Sequence, residues 1–405
     1  MEAPNPGGYH LSAPGEGVGG LLALDQTRVN RLWEAVVHTS HEVVWEMDTA
    51  GVITFANGTT NEMLGSPPSD LVGRSVFSVI HREDLDEARA VFAACLARRA
   101  GWRSVRLRAL RSDGSNCWVE SSGVAHLGAD GILLGFTATT RRLDADTSRE
   151  QELGEAAQRI EAVLEDRSIT TVWQPIFSVA HGEVIGVEAL SRFPHRIARS
   201  PDVWFAEAFS VGRGVDLEML AVETALRASA GFPEGVYISV NLSAESLADG
   251  RTESVLAASP VPADRLVVEL TEHASIDNYE AVCSGFERLR SMGVRLAVDD
   301  AGAGFASFRH ILRLGPDIVK LDRSITDGIA TNAAQRALAT AVVLFALEVG
   351  SMTVTAEGVE TAEDLTMASS LGLDAVQGFH VGRPVPAADL DWGQVITESW
   401  RPRRA

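Results

Sequence analysis

At 405 residues the chain is long for one domain and comfortable for two, and its 45% hydrophobic and 22% charged content excludes wholesale disorder. A net charge of -20 argues against a nucleic-acid polymer or an anionic membrane surface as partner, so an anionic substrate needs cations to bridge it to the protein. The three cysteines, Cys95, Cys117 and Cys283, are too scattered for a CxxC zinc site or a disulfide framework, and a reduced, cytoplasmic setting fits them best. No basic-then-apolar signal opens the chain, and its longest apolar run, Ala337 to Leu347, is too short to span a bilayer and reads as a buried helix.

Residues 1–28 read as a disordered leader, rich in Gly, Pro and Ala without periodicity. A helical pattern from about Val29 leads into two short strands around the hairpin signal Asp48-Thr49-Ala50-Gly51. A helical middle follows, with Leu85 to Leu96 as its longest member. Three more strand candidates, Trp102 to Leu110, Cys117 to His126 and Ile132 to Thr139, are separated by Asp113-Gly114 and Asp130-Gly131. Such turn dipeptides predict an antiparallel sheet of five strands, an α+β domain over 29–143. The Asp-x-x-Gly hairpin, Phe55-Ala56-Asn57, Gly73-Arg74 and His81-Arg82-Glu83-Asp84 resemble the landmarks of a PAS sensory domain. PAS domains often bind a small ligand between sheet and helices, but its identity is not legible here, and the signal it senses stays unknown. His81 reads as a polar loop residue, and Trp45, Trp102 and Trp118 as packing.

Residues 144–166 form the connector. Ser148-x-x-Gln151 offers a capping box, and Leu153, Ala157, Ile160 and Leu164 repeat as the seam of a short coiled coil, which makes a homodimer the natural expectation. A helix packed on its own chain is the equal alternative.

Over 160–398 strand-like and helix-like segments alternate. Eight strand candidates are Thr170 to Val179, Val184 to Phe193, Val236 to Leu242, Arg265 to Leu270, Val294 to Asp299, Ile318 to Leu321, Thr353 to Glu357 and Ala375 to Phe379. Helical patterns include Phe205 to Ala228, Tyr279 to Met292, Ala333 to Val349 and Ala362 to Leu371. The fold class is therefore α/β, a (β/α)8 TIM-like barrel. The first connection, Ala180 to Glu183, is too short for a parallel crossover, so one strand runs antiparallel.

From the second strand onward each candidate carries a polar residue near its C-terminal end: Glu188, Asn241, Glu269, Asp299 with Asp300, Lys320, Glu357 and Gln377. A barrel gathers those ends on the face where barrel enzymes keep their active sites. Carboxylates with an amide oxygen suit Mg2+ or Mn2+, and an Asp-Asp pair can bridge two such ions for in-line displacement at phosphorus. Lys320 would position or deprotonate a water, or neutralise charge on the phosphoryl group. Enolisation with a lysine base and Mg2+ fits the same inventory, and spacing alone leaves both open.

Glu188-Ala189-Leu190-x-Arg192 resembles the signature of EAL domains, the phosphodiesterases that linearise cyclic di-GMP. The likeness extends through Gln174-Pro175-Ile176, Val240-Asn241-Leu242-Ser243, Glu269-Leu270-Thr271-Glu272, Asp299-Asp300, Asp317-x-x-Lys320, Glu357-Gly358-Val359-Glu360 and Gln377-Gly378-Phe379. It implies that Glu188, Asn241, Glu269 and Asp299 hold one metal ion, and that Asp300 helps hold a second with Glu357 assisting through water. It implies further that Lys320 is catalytic, that Glu272 anchors the loop after the Asp pair, and that Gln174, Arg192 and Gln377 contact substrate. Ala301 and Ala303 stand where the family usually has Phe and Thr, a change that removes no ligand. The expected activity is PAS-regulated hydrolysis of cyclic di-GMP to linear pGpG. The alternative is a catalytically silent domain that binds cyclic di-GMP as a receptor.

Overall fold

The structure, a computed structural model, describes residues 42–195, 199–270, 279–301, 311–350 and 352–393, with Asp300 and Ala301 described by backbone alone. The expected leader, the helical pattern from Val29, Glu272 and Ala303 lie outside the described residues. The chain divides into two compact units between Glu150 and Gln151.

The first unit is an antiparallel sheet of β1 (Val43–Asp48), β2 (Ile53–Ala56), β3 (Trp102–Leu110), β4 (Asn116–Leu127) and β5 (Leu133–Arg142) in the order β2-β1-β5-β4-β3. The β1–β2 hairpin forms because the Asp48 carboxylate accepts the Ala50 and Val52 N–H groups, both at 2.9 Å, while Gly51 supplies a φ of 77°. The helix Leu85–Arg98 and three shorter helical segments pack on the sheet. Between them lies a cavity of about 120 Å³, walled by residues such as Val43, Met47, Met63, Phe92 and Leu107. Its described lining holds no charged residue, histidine or cysteine; its polar members are Thr60, Ser121, Thr140 and the indole N–H groups of Trp45 and Trp102. Those indoles are satisfied along the wall: Trp45 Nε1 donates to Thr140 Oγ1 at 2.9 Å and Trp102 Nε1 to Ser121 Oγ at 3.1 Å.

The second unit is a closed barrel of β6 (Thr170–Ser178), β7 (Val184–Arg192), β8 (Tyr237–Leu242), β9 (Leu266–Leu270), β10 (Arg295–Ala301), β11 (Ile318–Leu321), β12 (Thr353–Ala356) and β13 (Ala375–Val376). Strand β6 is antiparallel to both its neighbours, β7 and β13, and every other pairing is parallel. The fully buried strands β9 and β11 read as near-continuous apolar runs, as a barrel walled by helices requires. Gly186 of β7 is needed where it stands, since a Cβ there would lie 2.3 Å from the Tyr237 ring of β8.

Four sequence expectations change. Phe205 to Ala228 is two helices, Pro201–Ser210 and Gly214–Ala228, broken where Gly212 takes a φ of 73°. The run Ala337 to Leu347 lies in the helix Ala333–Val349, whose outer face is bare: Leu344 is 60% and Leu347 71% exposed, because a helix of the outer ring meets the strands on one side only. The connector helix, Ala145–Asp166, starts before Ser148, and Asp144 serves its first turn by accepting the Thr147 N–H at 2.8 Å. Its buried residues are Ala156, Ile160 and Val163 rather than the full expected seam; Ile160 and Val163 pack with Trp204, Leu217 and Leu220 of the same unit. This is the alternative in which the helix packs on its own chain.

Candidate active site

The polar residues at the barrel rim converge on one ammonium group. Lys320, third residue of β11 and 1% exposed, places Nζ 2.6 Å from Glu269, 2.5 Å from Glu357, 3.4 Å from Glu188 and 3.4 Å from Asp299. Glu188 is a hub in its own right, accepting from Asn241 Nδ2 at 2.8 Å and from Gln377 Nε2 at 2.6 Å. Gln377 Nε2 also donates to Gln174 Oε1 at 3.1 Å, and Gln174 Nε2 to the Gly382 carbonyl at 3.1 Å. Because β6 is reversed, Gln174 pairs directly with Glu188 and joins the same face. Arg192, at the end of β7, is exposed and donates to the Ser191 carbonyl at 2.8 Å.

The Asp pair owes its placement to a β-bulge. Val298 pairs with Val319 and Ala301 with Leu321, so Asp299 and Asp300 together oppose the single residue Lys320. An extra residue of this kind bends the strand and re-aims a side chain. It also means that the pair lies within β10, which runs on to Ala301, rather than at its end.

Burial opposes the charge on Lys320, but the carboxylates of Asp299, Glu188, Glu269 and Glu357 outweigh it and hold the ammonium well above the ordinary lysine range. Burial, then the charge of Glu188, pushes Glu269 up to about 8. Burial also raises Glu357 against the pull of Lys320, whereas at Glu188 burial is overcome by Lys320, Gln377 and Asn241 and its carboxyl is lowered. Among the described residues these four carboxylates meet one ammonium, that of Lys320.

Sequence reasoning missed two supports. Ser239, fully buried, hydrogen-bonds Glu269 through its hydroxyl, and Thr326 donates to the Glu357 carbonyl. Strand alternation could have found Ser239, two residues before Asn241 and so on the same face; nothing local marks Thr326.

The donor set fits hard divalent cations. Glu188, Asn241, Glu269, Asp299 and Glu357 offer oxygen around one ammonium, and among the described residues Gln377 Oε1 is a buried acceptor without a partner. Among the described residues no three His, Cys, Asp or Glu side chains stand as a ready metal cluster. The carboxylates are drawn onto Lys320 instead.

A barrel with one reversed strand and a carboxylate–lysine centre at its rim is the class these features define. The family model described as EAL domain matches residues 156–384, more than half of the chain, and that described as PAS fold matches 31–143. The chain belongs to the EAL domain family and carries a PAS fold ahead of the barrel. It is 30% identical over 251 residues to the bifunctional diguanylate cyclase/cyclic di-GMP phosphodiesterase MucR of Pseudomonas aeruginosa, covering 59% of this chain and 36% of MucR. It is 31% identical over 253 residues to the cyclic di-GMP phosphodiesterase NbdA of the same organism, covering 60% of this chain and 32% of NbdA. The chain thus spans about a third of the length of these relatives. The solved structure described as the PaMucR phosphodiesterase in complex with c-di-GMP is 28% identical, with a TM-score of 0.53, covering 58% of this chain and 98% of that one. Among the described residues no helix is long and apolar enough to cross a membrane.

Proposed function

We propose that the barrel hydrolyses one phosphodiester of cyclic di-GMP to give linear pGpG, in the cytoplasm and under the control of the PAS unit. The observation that carries this reading is the convergence of Glu188, Glu269, Asp299 and Glu357 on Lys320 at the rim of an EAL-family barrel. Relatives and a solved structure with this barrel bear the name of phosphodiesterases for the same nucleotide.

In this reading Glu188, Asn241, Glu269 and Asp299 would hold one Mg2+ or Mn2+, and Asp300 would help hold another with Glu357 assisting through water. Such ions supply Lewis-acid polarisation of the phosphoryl group and ease deprotonation of a water. The chain's own groups do the rest. Lys320 Nζ, kept protonated by its carboxylates, orients oxygen atoms and offsets charge developing on phosphorus. Gln174 and Gln377, linked to each other and to Glu188, present amides to the nucleotide, and exposed Arg192 offers a guanidinium fork to phosphate. Glu272 is assigned to anchoring the loop after the Asp pair. The PAS cavity, apolar with a few hydroxyls, suits a small uncharged ligand as the regulatory signal.

The test is hydrolysis of cyclic di-GMP by the purified chain with Mg2+, with Mn2+ and with EDTA. Metal-dependent pGpG is the expected product. Tight binding of cyclic di-GMP with no pGpG under either metal would make the domain a receptor.

A further inference from the structure

The helix Gly214–Ala228 belongs to the outer ring of the barrel, yet Glu218 on it is only 8% exposed. Its Oε2 accepts two hydrogen bonds from one residue, Ser243: the backbone N–H at 3.1 Å and the hydroxyl at 2.8 Å. Ser243 lies two residues beyond Asn241, and as N-cap of the helix Ala244–Ala248 its Oγ also accepts the Ser246 N–H at 3.2 Å. The exit of β8 is therefore tied to a single carboxylate.

Burying a carboxylate is expensive, and among the described residues neither lysine nor arginine pairs with this one. Burial pushes the Glu218 carboxyl above its ordinary range against the pull of its serine donors, so what ties the segment is geometry: one oxygen accepts both the backbone N–H and the hydroxyl of the same residue. The neighbours of Glu218 extend the connection. Leu217 and Leu220 pack with Ile160 and Val163 of the connector helix, and Arg213 just ahead of the helix pairs with Glu161 at 2.6 Å. On the other side of Ser243, Asn241 donates to Glu188 at 2.8 Å.

We propose that Glu218 is a positioning residue: through Ser243 it fixes Asn241 against Glu188, and so ties the metal-binding end of β8 to the helix on which the connector packs. The inference rests on the reading of Asn241 and Glu188 as metal ligands.

The experiment uses the full chain with Glu218→Gln, which keeps an acceptor oxygen, and Glu218→Leu, which removes it. Mn2+ affinity is read by electron paramagnetic resonance on the substrate-free protein, alongside kcat and KM for cyclic di-GMP and the melting temperature. Loss of a partner that orients a metal ligand costs about 10–100-fold in metal affinity, so Glu218→Leu is expected to weaken Mn2+ binding at least about tenfold. Its kcat is expected to fall while KM stays within about twofold, and Glu218→Gln to recover most of both losses. A folded Glu218→Leu protein with wild-type Mn2+ affinity overturns the proposal, since a merely structural role lowers the melting temperature without moving the affinity of folded protein. Should Glu218→Leu not fold, Ser243→Ala replaces it, and wild-type affinity there overturns the proposal equally. A wild-type chain that binds Mn2+ without hydrolysing cyclic di-GMP overturns the hydrolase reading and leaves the affinity comparison to decide Glu218. A wild-type chain that binds no Mn2+ overturns both.

Discussion

Lys320 is the residue on which the barrel's electrostatics turn. Four carboxylates lie within 3.4 Å of its Nζ, so its removal leaves them facing one another in a buried rim. Breaking a buried ion pair from one side costs about 3–5 kcal/mol, and Lys320→Met is expected to lose stability of that order in EDTA. Mn2+ is expected to restore part of it, which denaturant melts with and without the ion would show. In turnover the same variant is expected to lose about 10²–10³-fold in kcat, the range for deleting one preorganised charge-stabilising donor, with a smaller change in binding. If binding suffers more than kcat, Lys320 is a substrate anchor. Glu188→Ala is expected to abolish metal-dependent pGpG formation while circular dichroism remains that of the folded chain. Undiminished hydrolysis by that variant would falsify the ligand assignment.

Among elements, β10 shows how a local irregularity serves a site. Its bulge sets Asp299 and Asp300 against Lys320 alone, an arrangement invisible in the residue spacing because the extra residue is defined only by the partner strand. The close approach of β7 to β8 makes a different demand. Gly186→Ala would drive a methyl into the Tyr237 ring and is expected to cost about 1–3 kcal/mol in chemical denaturation, with little direct effect on the rim residues. At the connector helix the cap can be tested directly. Asp144→Ala is expected to cost about 1 kcal/mol, whereas Ser148→Ala, inside the helix, is expected to cost nothing or stabilise slightly. The opposite ranking would restore the capping box at Ser148.

The molecule joins a cavity-bearing sheet unit to a barrel with a carboxylate–lysine centre at one rim. An apolar cavity of about 150 Å³ admits benzene, so the PAS cavity of about 120 Å³ lies near the lower limit for a single ring. Benzene as a probe is expected to shift the emission of Trp45 and Trp102, which line the cavity, to shorter wavelength and to raise the melting temperature of the first transition. Ala56→Phe, which fills the space, is expected to remove both effects. A shift that survives the filled cavity would place the probe elsewhere on the protein.

Much of this protein is legible in its sequence because its signals are local. The eight strand candidates of the barrel coincide with β6 to β13 to within a few residues, since β-branched runs bounded by turns need no distant information. The reversed β6 follows from a four-residue connection, and the rim residues follow from their common position near strand ends. The barrel closure, by contrast, brings Gln174 to Gln377 across 203 positions of chain, and only that closure makes Glu188 the hub of Asn241, Gln377 and Lys320. Of the connector's expected stripe Ile160 is buried and Leu164 packs beside it, while Ala156 and Val163 take the place of Leu153 and Ala157, because the helices carrying Trp204 and Leu217 decide which face is covered. Periodicity states that a helix has an apolar face; the surface it meets selects the residues that lose water, and that selection belongs to tertiary packing.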